Sequence, residues 1–369
     1  LDSRIGVDLT YYKENTRNQI MTINVPWESG VKEKLINAGN IQNSGIEIAL
    51  NTTPIKKKQW QWDLNFTYTR NRNKIVELSP DVTSYINLDG AANYGNYRIA
   101  SVAKVGSDYG MLMSDSWIKT DEKTGKPVVG YTNKFRTVYY KRGGTVKEVG
   151  SMLPNFLGSL NSTLRWKDLS LYVLFDARFG GYVASYNSRY ATAYGFSGET
   201  EKYRKGMTWT SKYANAQDKV FTDGFIPDVV FDAGTIVTTP GGTNQDVSGM
   251  TYQEAYEKGY VEPAHLQSAA YFKNSWGTGV INDDWFKKIN YIALREITLS
   301  YNVPTKISSY IGAKNLSLSF TGRNLAYLLN TAPNHENPES VRGTGAAQFR
   351  MRSFMPYTAS YLFTLNATF

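Results

Sequence analysis

The chain has no cysteine, only two histidines in 369 residues, and no apolar run approaching the roughly 20 residues that a membrane-crossing helix needs. Without cysteine, a disulfide framework, a thiolate metal site, a thiol nucleophile and a lipid-modified cysteine anchor are all excluded for these residues. His265 and His335 have no second histidine or cysteine at ligand spacing, so neither a zinc site nor a Ser-His-Asp triad is expected, and no enzyme activity is. Gly180-Gly181 and Gly241-Gly242 lack the strand-to-helix context and the Lys-Ser/Thr of a phosphate cradle, and read as bends and turns. Any membrane crossing must then be made by strands, which need only about 9–11 residues when tilted.

What is present is a two-residue period. Trp60-Gln61-Trp62-Asp63-Leu64-Asn65-Phe66-Thr67-Tyr68 alternates apolar and polar residues without an error, and every apolar member is large. The same period runs through Ile5-Val7-Leu9-Tyr11, Ile46-Ile48-Leu50, Leu160-Leu164-Trp166, Leu169-Leu171-Val173-Phe175-Phe179, Leu316-Leu318-Phe320 and Tyr361-Phe363-Leu365-Phe369. Only strands have this period, and aromatic residues at strand ends suit a lipid headgroup boundary. The intervening polar residues, among them Asn161, Thr163, Arg165, Ser170, Asp176 and Arg178, would face an aqueous interior. The fold class expected is all-β, a transmembrane antiparallel β-barrel with long extracellular loops.

A net charge of +9 raises nucleic acid as a partner, and Lys56-Lys57-Lys58 beside Trp60 and Trp62 has that basic-aromatic look. The remaining basic residues are scattered through turns and loops instead of one face, so no nucleic acid is expected. Solvated turns or attraction to anionic outer-membrane lipid account for the charge as well.

Strands are predicted at roughly 3–14, 18–25, 40–52, 60–72, 98–106, 109–119, 156–166, 169–182, 288–302, 314–324 and 355–369, about eleven in all. Short connections alternate with long ones at 26–39, 73–97, 120–155, 183–287 and 325–354, as in barrels with tight periplasmic turns and long outer loops. On this reading the first and last strands both run downward, so the piece cannot close on itself and is half of a larger barrel. Leu1-Asp2-Ser3-Arg4 runs straight into a strand without an export leader, which points the same way. The stretch 183–287 is expected to be a folded extracellular element with helical segments at Glu199–Ala216 and Tyr252–Ala269.

Candidate contacts for a solute are Asn161, Arg165, Asp176 and Arg178 in the lumen and Trp209, Trp276 and Trp285 above it. Asp176 and Arg178 share one strand face, where a carboxylate beside a guanidinium can bind substrate, hold a plug or simply be solvated. Flat aromatic faces with polar edges suit sugar rings and peptide side chains alike, and equally suit loop packing or a partner protein. No cofactor is expected; Asp228 with Asp232, and Asn282-Asp283-Asp284, offer oxygen ligands for calcium but lack a calcium loop's spacing.

Several stretches together resemble a known family. They are Asn43-Ser44-Gly45-Ile46-Glu47-Ile48, the Trp62–Asn73 strand closing on Lys74-Ile75-Val76-Glu77-Leu78, Gly150-Ser151-Met152-Leu153-Pro154-Asn155-Phe156, Leu294-Arg295-Glu296-Ile297-Thr298-Leu299-Ser300-Tyr301, Gly322-Arg323-Asn324-Leu325 and the closing Pro356–Phe369. In this order they resemble the C-terminal half of SusC/RagA-type TonB-dependent outer-membrane transporters. The resemblance implies residues 1–369 as the second half of a barrel of about 22 strands holding an N-terminal plug. It also implies energy from a TonB complex through that N-terminal part, and a SusD-like surface lipoprotein closing the mouth. The expected function is import of oligosaccharides or oligopeptides across the cell outer membrane. The alternative is a non-transporting binding or scaffold barrel within a larger envelope complex.

Overall fold

The computed structural model describes residues 4–18, 20–24, 30, 33–37, 39–80, 82, 85–88, 93–94, 97–115, 117–134, 136–143, 146–193, 206–265, 286–342, 349–351 and 356–369. Eight long strands form one antiparallel meander: β1 (Ile5–Thr16), β2 (Gly39–Lys56), β3 (Trp60–Leu78), β4 (Phe156–Trp166), β5 (Leu169–Ser185), β6 (Phe286–Val303), β7 (Asn315–Asn330) and β8 (Ser360–Thr368). Each strand pairs with its sequence neighbours, the arrangement of an up-and-down barrel wall.

The register sorts the side chains as the period demands. Trp60, Leu64 and Phe66 of β3 lie opposite Trp166, Ser162 and Leu160 of β4, which face Leu169, Val173 and Phe175 of β5. Leu171, Leu299, Phe320 and Phe363 continue the apolar face across β5 to β8. The other face carries Asp63, Asn65, Thr163, Asn161, Glu296 and Thr298. Between Phe156 and Trp166 the 11-residue β4 covers about 33 Å. Tilted by about 40°, that gives roughly 25 Å, the height of an outer-membrane apolar band. Trp60 stacks on Trp166 at 5.5 Å at one rim, and Phe156 stacks on Phe179 at 4.8 Å at the other. Ser162, a polar residue within the apolar face, accepts a hydrogen bond of 2.9 Å from Trp62 Nε1, which removes the cost of a bare hydroxyl in lipid.

The tight turns are local chemistry. Lys167 adopts φ +52°, the left-handed twist that a two-residue hairpin requires. Gly45 sits opposite Tyr12 in register, and a Cβ there would lie 2.4 Å from the Tyr12 ring, so glycine lets the ring cover the strand.

Each of the eleven expected segments carries strand, but the wall has eight, which corrects the count. Ile20–Asn24 pairs with Glu33–Asn37 in a separate ribbon. Tyr97–Lys104 and Met111–Ser114 belong to another sheet with Tyr85–Asn87 and Lys147–Ser151. Their alternation is that of any half-buried sheet, so period alone does not separate wall from loop. The short-long order of connections survives with eight strands, but β1 now leads into a long connection and β8 leaves one. First and last strands therefore run in opposite directions, and the parity argument for a half-barrel does not stand. What the wall shows instead is two edges: among the described residues β1 pairs only with β2, and β8 only with β7.

Beyond the wall, described residues of the two stretches 117–143 and 206–265 build a module together. Val128–Thr132 pairs with Thr137–Tyr140 and, in parallel, with Val230–Phe231 from the other stretch. Val129, Val138, Phe231, Val237, Val247, Tyr252 and Val261 form its core. The helix at 252 is real but short, Tyr252–Glu257, opened by a Thr251/Glu254 capping box. From Ala264 the chain is strand, and 266–269 lies outside the described residues. The segment expected as helix over 199–216 is a strand at Met207–Thr210 and a single turn at Ala214–Ala216, with 199–205 outside the described residues. Trp209 pairs in register with Phe221 there, and an aromatic cross-strand pair overrides helix propensity.

Candidate functional site

The polar face of the wall holds two clusters. Near the tight turns, Asp63 accepts hydrogen bonds from Thr53 Oγ1 at 2.8 Å, Gln61 Nε2 at 2.8 and 3.0 Å and Arg165 Nη1 at 2.8 Å. The strand pleat places Asn65 beside Asn161, whose Oδ1 accepts from Asn65 Nδ2 at 2.7 Å. Arg4, Asn51, Asp63, Asn65, Thr163 and Arg165 line an open cleft of about 620 Å³.

The second cluster lies toward the long connections and turns on Arg295. The register slips between Leu294 and Glu296, leaving Arg295 as the extra residue of a bulge. Its guanidinium reaches Asp176 Oδ2 from Nη2 at 2.8 Å and from Nε at 3.2 Å. It also grips both oxygens of Glu339 at 2.7 Å in a bidentate fork. Tyr327 Oη donates to Glu339 at 2.7 Å and Tyr291 Oη at 3.4 Å. Glu339 lies in the connection between β7 and β8, so these bonds pin that connection to the polar face of the wall. Burial pushes its carboxyl up, but the bonds from Arg295 and Tyr327 outweigh this and hold it below the usual carboxylate range. On the same face Glu296 accepts from Arg323 Nε and Thr298 Oγ1, both at 2.9 Å.

Asn161, Arg165 and Asp176 thus stand on the polar face, each engaged with a wall neighbour. Arg178 shares that face with Asp176, but the carboxylate expected beside its guanidinium belongs to Arg295. Arg178 donates instead to the carbonyls of Met152 at 3.3 Å and Gly180 at 3.5 Å. This holds the Gly180-Gly181 bulge, where both glycines have φ near +88°.

Trp209 packs in the module: it stacks on Phe221 at 5.0 Å, meets His265 at 4.9 Å and donates from Nε1 to Glu262 at 3.2 Å. Trp276 and Trp285 lie outside the described residues, as do Asn282, Asp283 and Asp284. Asp228 pairs with Lys126 at 2.7 Å, and Asp232 with Lys119 at 2.8 Å and Lys141 at 3.4 Å.

Arg295, Glu339, Tyr291, Tyr327, Asp63 and Asn65 complete the clusters, and sequence reasoning did not choose them. One signal was present. Apolar residues fall on even positions at Ile292 and Leu294 and on odd ones at Ile297 and Leu299, with Arg295-Glu296 at the change of phase, the mark of a bulge. Glu339 carries no such signal, because a contact 44 residues away leaves no local period.

The arrangement is that of a transmembrane β-barrel wall whose polar face carries paired charges and amides, with no nucleophile set beside a base among the described residues. No family model matches the chain. Among curated proteins it is 23% identical over 331 residues to TonB-dependent receptor P26 of Formosa agariphila, covering 88% of this chain and 28% of that protein. It is 25% identical over 197 residues to TonB-dependent receptor P3 of the same organism, covering 50% of this chain and 20% of that protein. The chain therefore spans less than a third of the length of these relatives. Among solved structures, the RagAB peptide importer in the closed-closed state superimposes on 100% of this chain and 34% of the solved chain, with a TM-score of 0.60 and 13% identity. The open-open state gives a TM-score of 0.60 and 14% identity over 100% of this chain and 33% of the other. Both comparisons support the resemblance to SusC/RagA-type TonB-dependent transporters, and the fold is that of part of such a barrel.

Proposed function

We propose that this chain is part of the barrel of a TonB-dependent outer-membrane importer for bulky nutrients, oligosaccharide or oligopeptide. The observation that carries the reading is the two-faced wall, a continuous apolar belt outside and paired polar groups inside, together with the names of the curated relatives. The free edges of β1 and β8 leave backbone groups that lipid cannot satisfy, so strands from elsewhere complete the wall. A plug, a TonB-contacting segment and a SusD-like lipoprotein lid complete the machine on this reading. The tight turns face the periplasm and the module formed by the two long connections faces outward, where it meets lid and solute. Asn161, Arg165, Asp176 and Arg178 line the path, joined by Asp63, Asn65 and Arg295; Trp209, Trp276 and Trp285 act above it.

Uptake of labelled glycan and peptide pools by cells carrying the full polypeptide tests this. Uptake should require TonB, and it should fall when Arg165 and Asp176 are both changed to Ala. Uptake, binding and complex assembly all unchanged after Trp209→Ala, Trp276→Ala and Trp285→Ala would sink the loop contacts. A second reading, a non-transporting scaffold barrel, draws on the mutual pairing of the polar groups, which leaves Asp63 and Arg295 engaged without any solute. TonB-independent assembly of a stable envelope complex with no uptake would favour it.

A further inference from the structure

The three tight-side connections of the wall are unequal. Residues 57–59 and 167–168 are minimal polar turns, whereas 304–314 is a built knuckle. Pro304 opens a helical turn at Thr305–Ser308, a 3₁₀ turn follows at Ser309–Ile311, and Gly312 closes it at φ +75°. Pro304 O accepts from Ile307 N at 2.8 Å and Ser308 O from Ala313 N at 3.1 Å, with Ser308 and Ala313 buried inside. The result is a hydrogen-bonded projection, and what it projects is apolar: Ile307 is 57% exposed, Tyr310 91% and Ile311 59%. Lys306, next to Ile307 in the chain, is exposed as well.

A patch of this kind in water has no reason to be held so rigidly. Its position supplies one. Trp60, Trp166, Leu169, Tyr301, Leu318 and Leu365 are register partners in one row across β3 to β8, the tight-side rim of the apolar belt. The knuckle leaves that rim between Val303 and Leu316, themselves paired on the belt face. It is thus continuous with the lipid-facing surface. Two isoleucines and a tyrosine with a neighbouring lysine are the composition that settles at an acyl–headgroup boundary, where tyrosine keeps its hydroxyl wet and lysine meets phosphate.

We propose that 304–314 is a membrane foot: Ile307, Tyr310 and Ile311 enter the interface of the leaflet on the tight-turn side, with Lys306 at the level of the lipid phosphates. The foot would fix the depth and tilt of β6 and β7 at their tight-turn ends; β6 carries the Arg295 bulge toward its other end and pairs with β7 across it, so a tilt of either strand alters the lumen. The inference rests on the barrel reading, and it is independent of whether solute is imported.

The test places a polarity-sensitive fluorophore on Tyr310→Cys in the full polypeptide, reconstituted in phosphatidylethanolamine–phosphatidylglycerol vesicles, and compares a nitroxide-bearing lipid quencher with aqueous iodide. Phe320→Cys on the belt and Asp246→Cys in the module report the lipid and water limits. The foot requires blue-shifted emission at 310, loss of it to the lipid quencher as at 320, and a smaller loss to iodide than at 246. Loss to iodide alone means a solvated turn, and loss to neither means a protein surface covers it; each overturns the foot while leaving the barrel intact. A label at 320 that lipid cannot quench would instead overturn the barrel reading and the foot with it. If Tyr310→Cys does not assemble, Ile311→Cys carries the label with the same criteria.

Discussion

Phe363 and Phe231 are the same side chain in the same polypeptide, one 71% exposed and the other 1%. Phe363 stands in the row Leu171–Leu299–Phe320–Phe363 on the apolar face of the wall, where Leu299, Phe320 and Phe363 are all exposed. Phe231 stacks on Tyr252 at 5.5 Å within the valine-rich core of the module. The wall puts its apolar residues outward and its hydrogen-bonded charges inward; the module does the reverse. One chain thus folds for two solvents, and the boundary between them runs along the aromatic rims of the belt rather than along any break in sequence. The difference teaches that burial alone does not report stability here, because for the wall the bilayer is what removes the apolar face from water.

The largest effect should come from breaking the module alone. Phe231→Ala opens a cavity where Val129, Tyr131 and Tyr252 now pack, a loss of about 3–5 kcal/mol. Protease should then cut within 119–143 and 206–265, while the heat-modifiable mobility of the folded barrel on gels stays unchanged. Loss of both together would show that the two regions are one cooperative unit.

Next in size is a charge scan that sharpens the solvent contrast. Leu160 lies midway along β4 and is 37% exposed, and Val220 of the module is 60% exposed. In water, lysine at either position would cost little. In lipid, Leu160→Lys at the midplane should cost about 2–4 kcal/mol and Tyr301→Lys at the rim about 0–1. Val220→Lys should be silent. Equal costs at 160 and 220, measured by urea unfolding in vesicles, would contradict the belt.

A smaller effect is expected where wall and loop meet. Glu339→Gln keeps the shape but loses the charge that Arg295 and Tyr327 bind, worth about 1–2 kcal/mol for a half-exposed site. Hydrogen exchange should rise across 331–342 with β6 unchanged, and Arg295→Lys should mimic it because an ammonium cannot fork.

How much of this was legible in the sequence follows from the same contrast. The wall was legible because lipid imposes the period: Trp60 to Tyr68 alternates since every second residue must meet lipid, and the two faces share no residue types. Its strand number was not, because Tyr97–Lys104 and Met111–Ser114 alternate for a different solvent. The module's helix at Tyr252 was legible as a helix but not in its length, and Trp209 reads as helical only while its pairing with Phe221, a long-range fact, is out of view. For Asn161, Arg165 and Asp176 the period alone gives the polar face that the register also gives. It does not give their partners: the pairing of Asp176 with Arg295 depends on a bulge 119 residues away, and Arg178 answers to backbone carbonyls that no side-chain pattern encodes.

The smallest effect distinguishes the module's own seam from its core. Asp232 joins the two long stretches by accepting from Lys119 and Lys141, next to the parallel pair of Val128–Val129 with Val230–Phe231. Burial raises its carboxyl, but the two lysines outweigh burial and hold it below the usual range. A carboxylate whose folded pKa is depressed gives stability that is present above its unfolded value, about 3.9, and lost as pH falls through the folded one. Lys119 and Lys141 are about half and a third exposed, so screening limits the pair to less than about 1 kcal/mol. Between pH 7 and 5 the seam should be unchanged; below about pH 4 exchange should increase at 128–132 and 230–231 first. Asp232→Asn should show that increase already at pH 7 and remove its dependence on acid. The belt rows through Trp166, Leu164, Ser162 and Leu160, which hold no charge on their lipid face, should not respond over the same range, and an equal response there would mean that acid loosens the whole chain and not its ion-paired seam.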